Sequence, residues 1–139
     1  MNERFRQSWY SFRSLPLWVQ VWVGAVLIPA NAASFFLLDS WSGRMAALAA
    51  VFVVATNIPI MLRERGMSKL MAMPHLLVWG PLQLALVLRL IDHARSPPVT
   101  VIEQRYAVIL IVVNGASLIF DALDSWRWLR GDRAVPRRL

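Results

Sequence analysis

A chain of 139 residues that is 58% hydrophobic and only 17% charged falls outside the range of ordinary soluble domains, where charged residues alone make up about 25%. The lack of cysteine excludes disulfides, thiol redox catalysis and thiolate metal sites. The formal charge of +7 has to be explained by where the basic residues sit along the chain.

The apolar residues gather in four blocks, Leu17–Leu38, Gly43–Leu62, Leu70–Ile91 and Tyr106–Leu123, each near the roughly 20 residues that a membrane-spanning helix needs. The expected fold is therefore all-α: an integral membrane four-helix transmembrane bundle. Residues 1–139 form a single membrane domain with spans at about 17–38, 43–62, 70–91 and 101–126, which leaves no room for a separate soluble domain.

Ahead of the first span, Phe5, Trp9 and Phe12 recur at helical spacing among Arg4, Arg6 and Arg13. That pattern predicts a short amphipathic helix lying in the membrane interface before Pro16. Ser14, preceding Leu15-Pro16, reads as the N-cap of the first span with an early-turn proline. Ala30-Asn31-Ala32 has the small-x-small form of a signal-cleavage site. The apolar run from Leu17 continues past it as Phe35-Phe36-Leu37-Leu38, too long for a signal-peptide core, and is read as a retained span.

Within this span Gln20, Gly24, Asn31 and Ser34 fall on one helix face. In the second, Gly43, Ala46, Ala50 and Asn57 do, and in the third His75, Trp79 and Gln83 share a side. The natural assembly turns these faces inward. Small residues let the backbones approach, and amides bond across helices at about 0.6 kcal/mol on average. Pro29, Pro59 and Pro81 lie inside spans, where each removes a backbone hydrogen bond and invites a kink.

Pro97-Pro98 closes the loop before the fourth helix, and Thr100-Val101-Ile102-Glu103 is a capping-box pattern that starts it. Further along, Asn114, Ser117 and Asp121 share one side, with Asp124 just beyond and placed to pair with Arg127 at i+3. A carboxylate in a run of Val, Ile and Leu has to face something other than lipid.

Orientation follows the basic residues. Arg4, Arg6, Arg13, Arg63, Arg65, Lys69, Arg127, Arg130, Arg133, Arg137 and Arg138 fall on one side, against Arg44, Arg89, Arg95 and Arg105 on the other. Both termini are expected inside (N-in/C-in), and the positive charge is a topology signal that calls for membrane lipids as partners and not nucleic acid. Trp9, Tyr10, Trp18, Trp41, Trp126 and Trp128 sit where aromatic belts are expected. The predominance of Arg over Lys and the lack of any Asn-x-Ser/Thr sequon suit a bacterial inner (cytoplasmic) membrane, in which the protein is multi-pass.

The candidate ion- or proton-binding or pore-lining residues are Asp121, His75, Asn57, Asn114, Ser117, Asn31 and Gln83. A carboxylate beside a histidine is the arrangement that proton exchange needs, since the charge of each changes the other's hold on a proton. The expected function is an ion- or proton-linked channel or transporter, and a homo-oligomer, because four short helices enclose little volume alone. The alternative is a non-catalytic accessory or assembly subunit of a larger membrane complex.

No enzyme activity and no cofactor are expected. The nucleotide-binding, serine-elbow and HExxH motifs are missing, Val99-Thr100-Val101 lacks the glycines of a potassium filter, and a metal centre is disfavoured by having only His75 and His93, expected on opposite sides. In size and helix number the chain resembles the small multidrug-resistance transporters. They carry an embedded glutamate in the first helix, where this chain has Gln20 and Asn31.

Overall fold

The computed structural model describes residues 2–92 and 97–137; His93, Arg95 and Arg138 of the sequence reading lie outside them. Among the described residues every regular element is helical. A short helix, α1 (Glu3–Ser14), precedes four helices long and apolar enough to cross a membrane: α2 (Leu17–Phe36), α3 (Trp41–Glu64), α4 (Lys69–Ile91) and α5 (Val101–Leu129).

Helix α1 starts on Asn2, whose side chain accepts from the Arg4 N–H at 3.3 Å. The expected cap at Ser14 is not made. Its hydroxyl turns back to donate to the Ser11 carbonyl at 2.6 Å, because Leu15 is extended, the conformation that a following proline imposes. The corner is closed by Gln20 instead, which donates to the carbonyls of Leu15 (2.8 Å) and Arg13 (3.3 Å) and accepts from the Arg13 guanidinium at 3.1 Å.

Helix α2 is not a uniform α-helix. Trp22–Leu27 form a π-helical turn, a wide turn that accommodates Pro29, which has no N–H to offer and whose ring would crowd an α-helical turn. The extra residue shifts the register, so Gly24 faces outward while Leu27, Asn31 and Ser34 point inward. The single polar face expected for this span is thereby divided. The helix ends in a 3₁₀ turn at Phe36, short of the expected Leu38.

Ser40 caps α3 by accepting from the Gly43 N–H at 3.0 Å, which brings its start forward to Trp41. Gly43 is required there for a reason other than helix–helix contact: a Cβ would run into the Leu37 carbonyl of the preceding turn. Ala46, Ala49 and Val53 continue the inward face of α3 and meet Trp79, Leu82 and Leu86 of α4 and Tyr106, Ala107, Leu110 and Val113 of α5 in one core. Buried positions on α5 recur at spacings of three and four, the seam of near-parallel packed helices.

Apolar residues also cover the outside; Phe36 is 88% exposed and Leu77 and Ile119 each 72%. That distribution suits lipid better than water.

The two ends of the bundle differ. At one end α1 lays Ser8 on the last turn of α3 and Ser11 on the α3–α4 connection. The Ser8 hydroxyl donates to the Met61 carbonyl at 3.3 Å, and the Ser11 hydroxyl accepts from the Met67 N–H at 2.9 Å. The segment after α5 returns to the same place, where the Lys69 ammonium donates to Asp132 and to the Ala134 carbonyl, each at 3.3 Å. Both terminal segments therefore lie at this end, and the α2–α3 and α4–α5 connections lie at the other.

Candidate functional site

Helix α5 carries a polar group at nearly every turn of its inward seam, and all but Ser125 have a partner on another helix. Nearest the termini, Asp121 meets His75, which stands in the second turn of α4. The imidazole Nδ1 lies 3.2 Å from both carboxylate oxygens of Asp121. Nε2, on the other edge of the ring, lies 2.8 Å from the Asn57 side-chain nitrogen of α3. Trp79, one turn further along α4, stacks on the same ring with centroids 4.4 Å apart and planes 9° from parallel. Three helices thus fix one imidazole on both edges and one face.

The side chains of His75 and Asp121 are 16% and 15% exposed, so the pair is largely shielded yet still reached from outside. Asn57 and Trp79 are buried. Within this group the Asn57 Oδ1 and the Trp79 Nε1 are buried without a hydrogen-bond partner, as is the hydroxyl of Ser125 one turn beyond Asp121. Asp124 stands apart from the imidazole and pairs with Arg127 at 3.6 Å on an exposed surface, an ion pair worth about 1 kcal/mol or less.

The middle of the bundle holds the other expected residues, each bonded to a neighbouring helix. Ser117 accepts from the Trp22 indole N–H at 3.0 Å, the side chain that the π turn swings inward. Asn31 and Asn114 exchange amide hydrogen bonds of 2.8 and 3.0 Å, and Asn31 also donates to the Leu27 carbonyl at 3.0 Å. Gln83 donates to the Leu110 carbonyl at 3.2 Å, and the Tyr106 hydroxyl donates to the Ala30 carbonyl at 2.9 Å. Asn31, Asn114, Ser117 and Gln83 are therefore separate from the His75–Asp121–Asn57 group and act as ties between helices.

The far end contains a charged centre that the sequence reading does not identify. Arg89 and Glu103, each 2% exposed, pair at 3.2 Å. Glu103 also accepts from the Ser42 N–H (3.1 Å) and hydroxyl (2.8 Å), and Arg89 donates to the Pro97 carbonyl at 2.6 Å and stands over the Trp41 ring.

Thr100 caps α5 by accepting from the Glu103 N–H at 3.1 Å, but the Glu103 carboxylate is engaged inward. Arg89, counted among the basic residues on the outer side of the spans, is buried in the interior instead. The available signal was an arginine inside Leu-Val-Leu-Arg-Leu-Ile, a setting that demands a nearby acid.

Chemically, the near-end group is the one suited to exchange. A histidine beside a carboxylate keeps that partner whether it holds one ring proton or two. Among the described residues no three histidine or carboxylate side chains gather into a group that could hold a metal ion. Compared with known protein families, with curated proteins and with solved structures, the chain matches none.

Proposed function

We propose that this is a multi-pass protein of a bacterial inner membrane that exchanges protons at the His75–Asp121 pair as part of ion- or proton-linked transport. The carrying observation is the placement of an ionisable pair, 3.2 Å apart and about one-sixth exposed, inside helices otherwise built of Val, Ile and Leu. Ionisable residues in such positions cost several kcal/mol unless paired and mark ion or proton paths in membrane proteins.

The bundle end beside the pair also carries α1 and the basic tail. With Arg89 engaged in the interior, the excess of arginine at that end is larger than a loop count gives. By the positive-inside rule that end is cytoplasmic, so His75 exchanges with the cytoplasm. A full path across the membrane needs a second copy, because four helices of about 20 to 30 residues pack into a solid core here and channels are lined by several such bundles.

Proton uptake into liposomes containing the purified protein tests this. Flux is expected, and Asp121→Asn, which keeps the shape and removes the charge, is expected to reduce it to the protein-free background. Unchanged flux in that variant overturns the proposal.

A second reading rests on the middle and far-end layers, whose polar groups bond to each other and not to an open path. It makes the protein a non-catalytic accessory or assembly subunit of a larger membrane complex. No flux of any kind, with a stable membrane-protein partner recovered in mild detergent, favours it.

A further inference from the structure

We propose that Asn57 is a positioning residue that registers the proton on His75 by reversing its side-chain amide, so that proton uptake at the α4–α5 pair is transmitted to α3. This rests on the reading of His75–Asp121 as a proton-exchange pair and names the residue that senses the exchange.

The argument starts from hydrogen-bond polarity. An amide NH₂ has only donors to offer, so its position 2.8 Å from Nε2 requires Nε2 to hold a bare lone pair. The ring proton of neutral His75 then sits on Nδ1, between the two Asp121 oxygens. When Nε2 takes a proton from the aqueous side, the imidazolium N–H faces the amide N–H. Two donors at that distance repel, and the contact survives only if the amide turns over and presents Oδ1.

That oxygen is the buried atom without a partner, so the reversal supplies the missing hydrogen bond. A buried acceptor without a partner is costly, and pairing it with the protonated ring removes that cost. The freed NH₂ must then find another acceptor or water on its own side of α3. Release of the proton returns every atom to its place.

Charge on the neighbouring elements acts through the same ring. Helix α5 brings Asp121, with Asp124 and Arg127 beyond it. Helix α4 brings Lys69, bonded to Asp132 of the segment after α5. The side facing Nε2 is neutral on α3, whose Arg63 and Glu64 lie nearly two turns past Asn57. Arg13 of α1 is held by Gln20. Asn57 is thus the polar group placed to answer a proton at Nε2, while the carboxylate answers at Nδ1.

Nitrogen NMR of the full-length protein in bicelles, with ¹⁵N-labelled histidine and asparagine and His93→Gln to leave one imidazole, tests this directly. Neutral His75 is expected as the single Nδ1–H tautomer. On acidification the Asn57 amide signals should move in step with the ring, and His75→Phe should abolish that movement.

Asn57→Val should convert the neutral ring into a mixture of tautomers, and Asn57→Asp, with acceptors in both orientations, should remove the bare-Nε2 signal. A neutral ring protonated at Nε2, or Asn57 signals indifferent to pH, overturns the proposal. If the Asn57 variants fail to fold, the spectra of the His93→Gln protein and its His75→Phe derivative decide it alone.

Flux is read separately. This spectral pattern without flux removes the transport reading and keeps the role of Asn57; flux with an indifferent Asn57 does the reverse.

Discussion

Asn31 and Asn114 face each other across the interior of the bundle so that each amide both gives and receives one hydrogen bond, at 2.8 and 3.0 Å. The pair is self-contained, since every strong contact that one makes on the other is matched in return. Truncating one partner strands the other where neither lipid nor water can replace it. Asn114→Leu alone is expected to cost about 1–3 kcal/mol, and Asn31→Leu a similar amount. The double variant should cost less than the sum of the two, and a double-mutant cycle on unfolding in mixed micelles measures the difference.

The far-end ion pair makes a sharper demand. Arg89→Ala leaves Glu103 charged and buried with only Ser42 beside it, and breaking such a pair costs about 3–5 kcal/mol. Arg89→Met combined with Glu103→Gln removes both charges and is expected to recover most of the loss. Thermal unfolding of the three proteins in the same detergent should rank them wild type, double variant, single variant.

Glycine substitutions should separate by position. At Gly43 a new Cβ meets the Leu37 carbonyl, which is backbone and cannot swing away, whereas at Gly80 in α4 nothing lies within 4 Å. Gly43→Ala is expected to lower stability and yield markedly. Gly80→Ala is expected to be near neutral, because the ring of Pro81 crowds a Cβ on the residue before it and offsets the gain in helix propensity, and thermal melts of the two variants side by side check the difference.

The docking of α1 uses two small hydroxyls, those of Ser8 and Ser11. Ser11→Ala removes the acceptor of the Met67 N–H and is expected to cost about 1 kcal/mol. Hydrogen exchange should show it as faster exchange at Met67 and neighbouring amides, with the α5 core unaffected. Uniform acceleration across the protein contradicts this local role.

Much of this architecture is legible in the residue order because long apolar runs leave few alternatives. The four spans are found within a few residues, and the errors have local causes: the 3₁₀ turn that ends α2 at Phe36, the Ser40 cap that starts α3 early, and the continuation of α5 through its interfacial tryptophans to Leu129.

Which residues meet is a different matter. That Asp121 faces His75 and not Ser8 or Gln20 depends on the rotation of each helix about its axis, and periodicity gives a face without giving the face opposite. Asn31 and Asn114 share a depth, which is compatible with their bond but does not establish it. Arg89 reads in the sequence as a basic residue at the outer end of the third span, two residues before the apolar block ends, and only the packing of α5 against α4 brings Glu103 to it.

The pinning of α1 has a consequence for how the protein is made. The Ser11 hydroxyl waits for an amide 56 residues further along the chain, and Lys69 waits for a partner 63 residues beyond itself. At ordinary elongation rates of about 5–20 residues per second, α1 spends seconds before its seat exists. Its two faces match those two periods: Phe5, Trp9 and Tyr10 remain outward among arginines, while Ser8 and Ser11 are reserved for the later contact. The helix stands alone first and becomes a clasp afterwards.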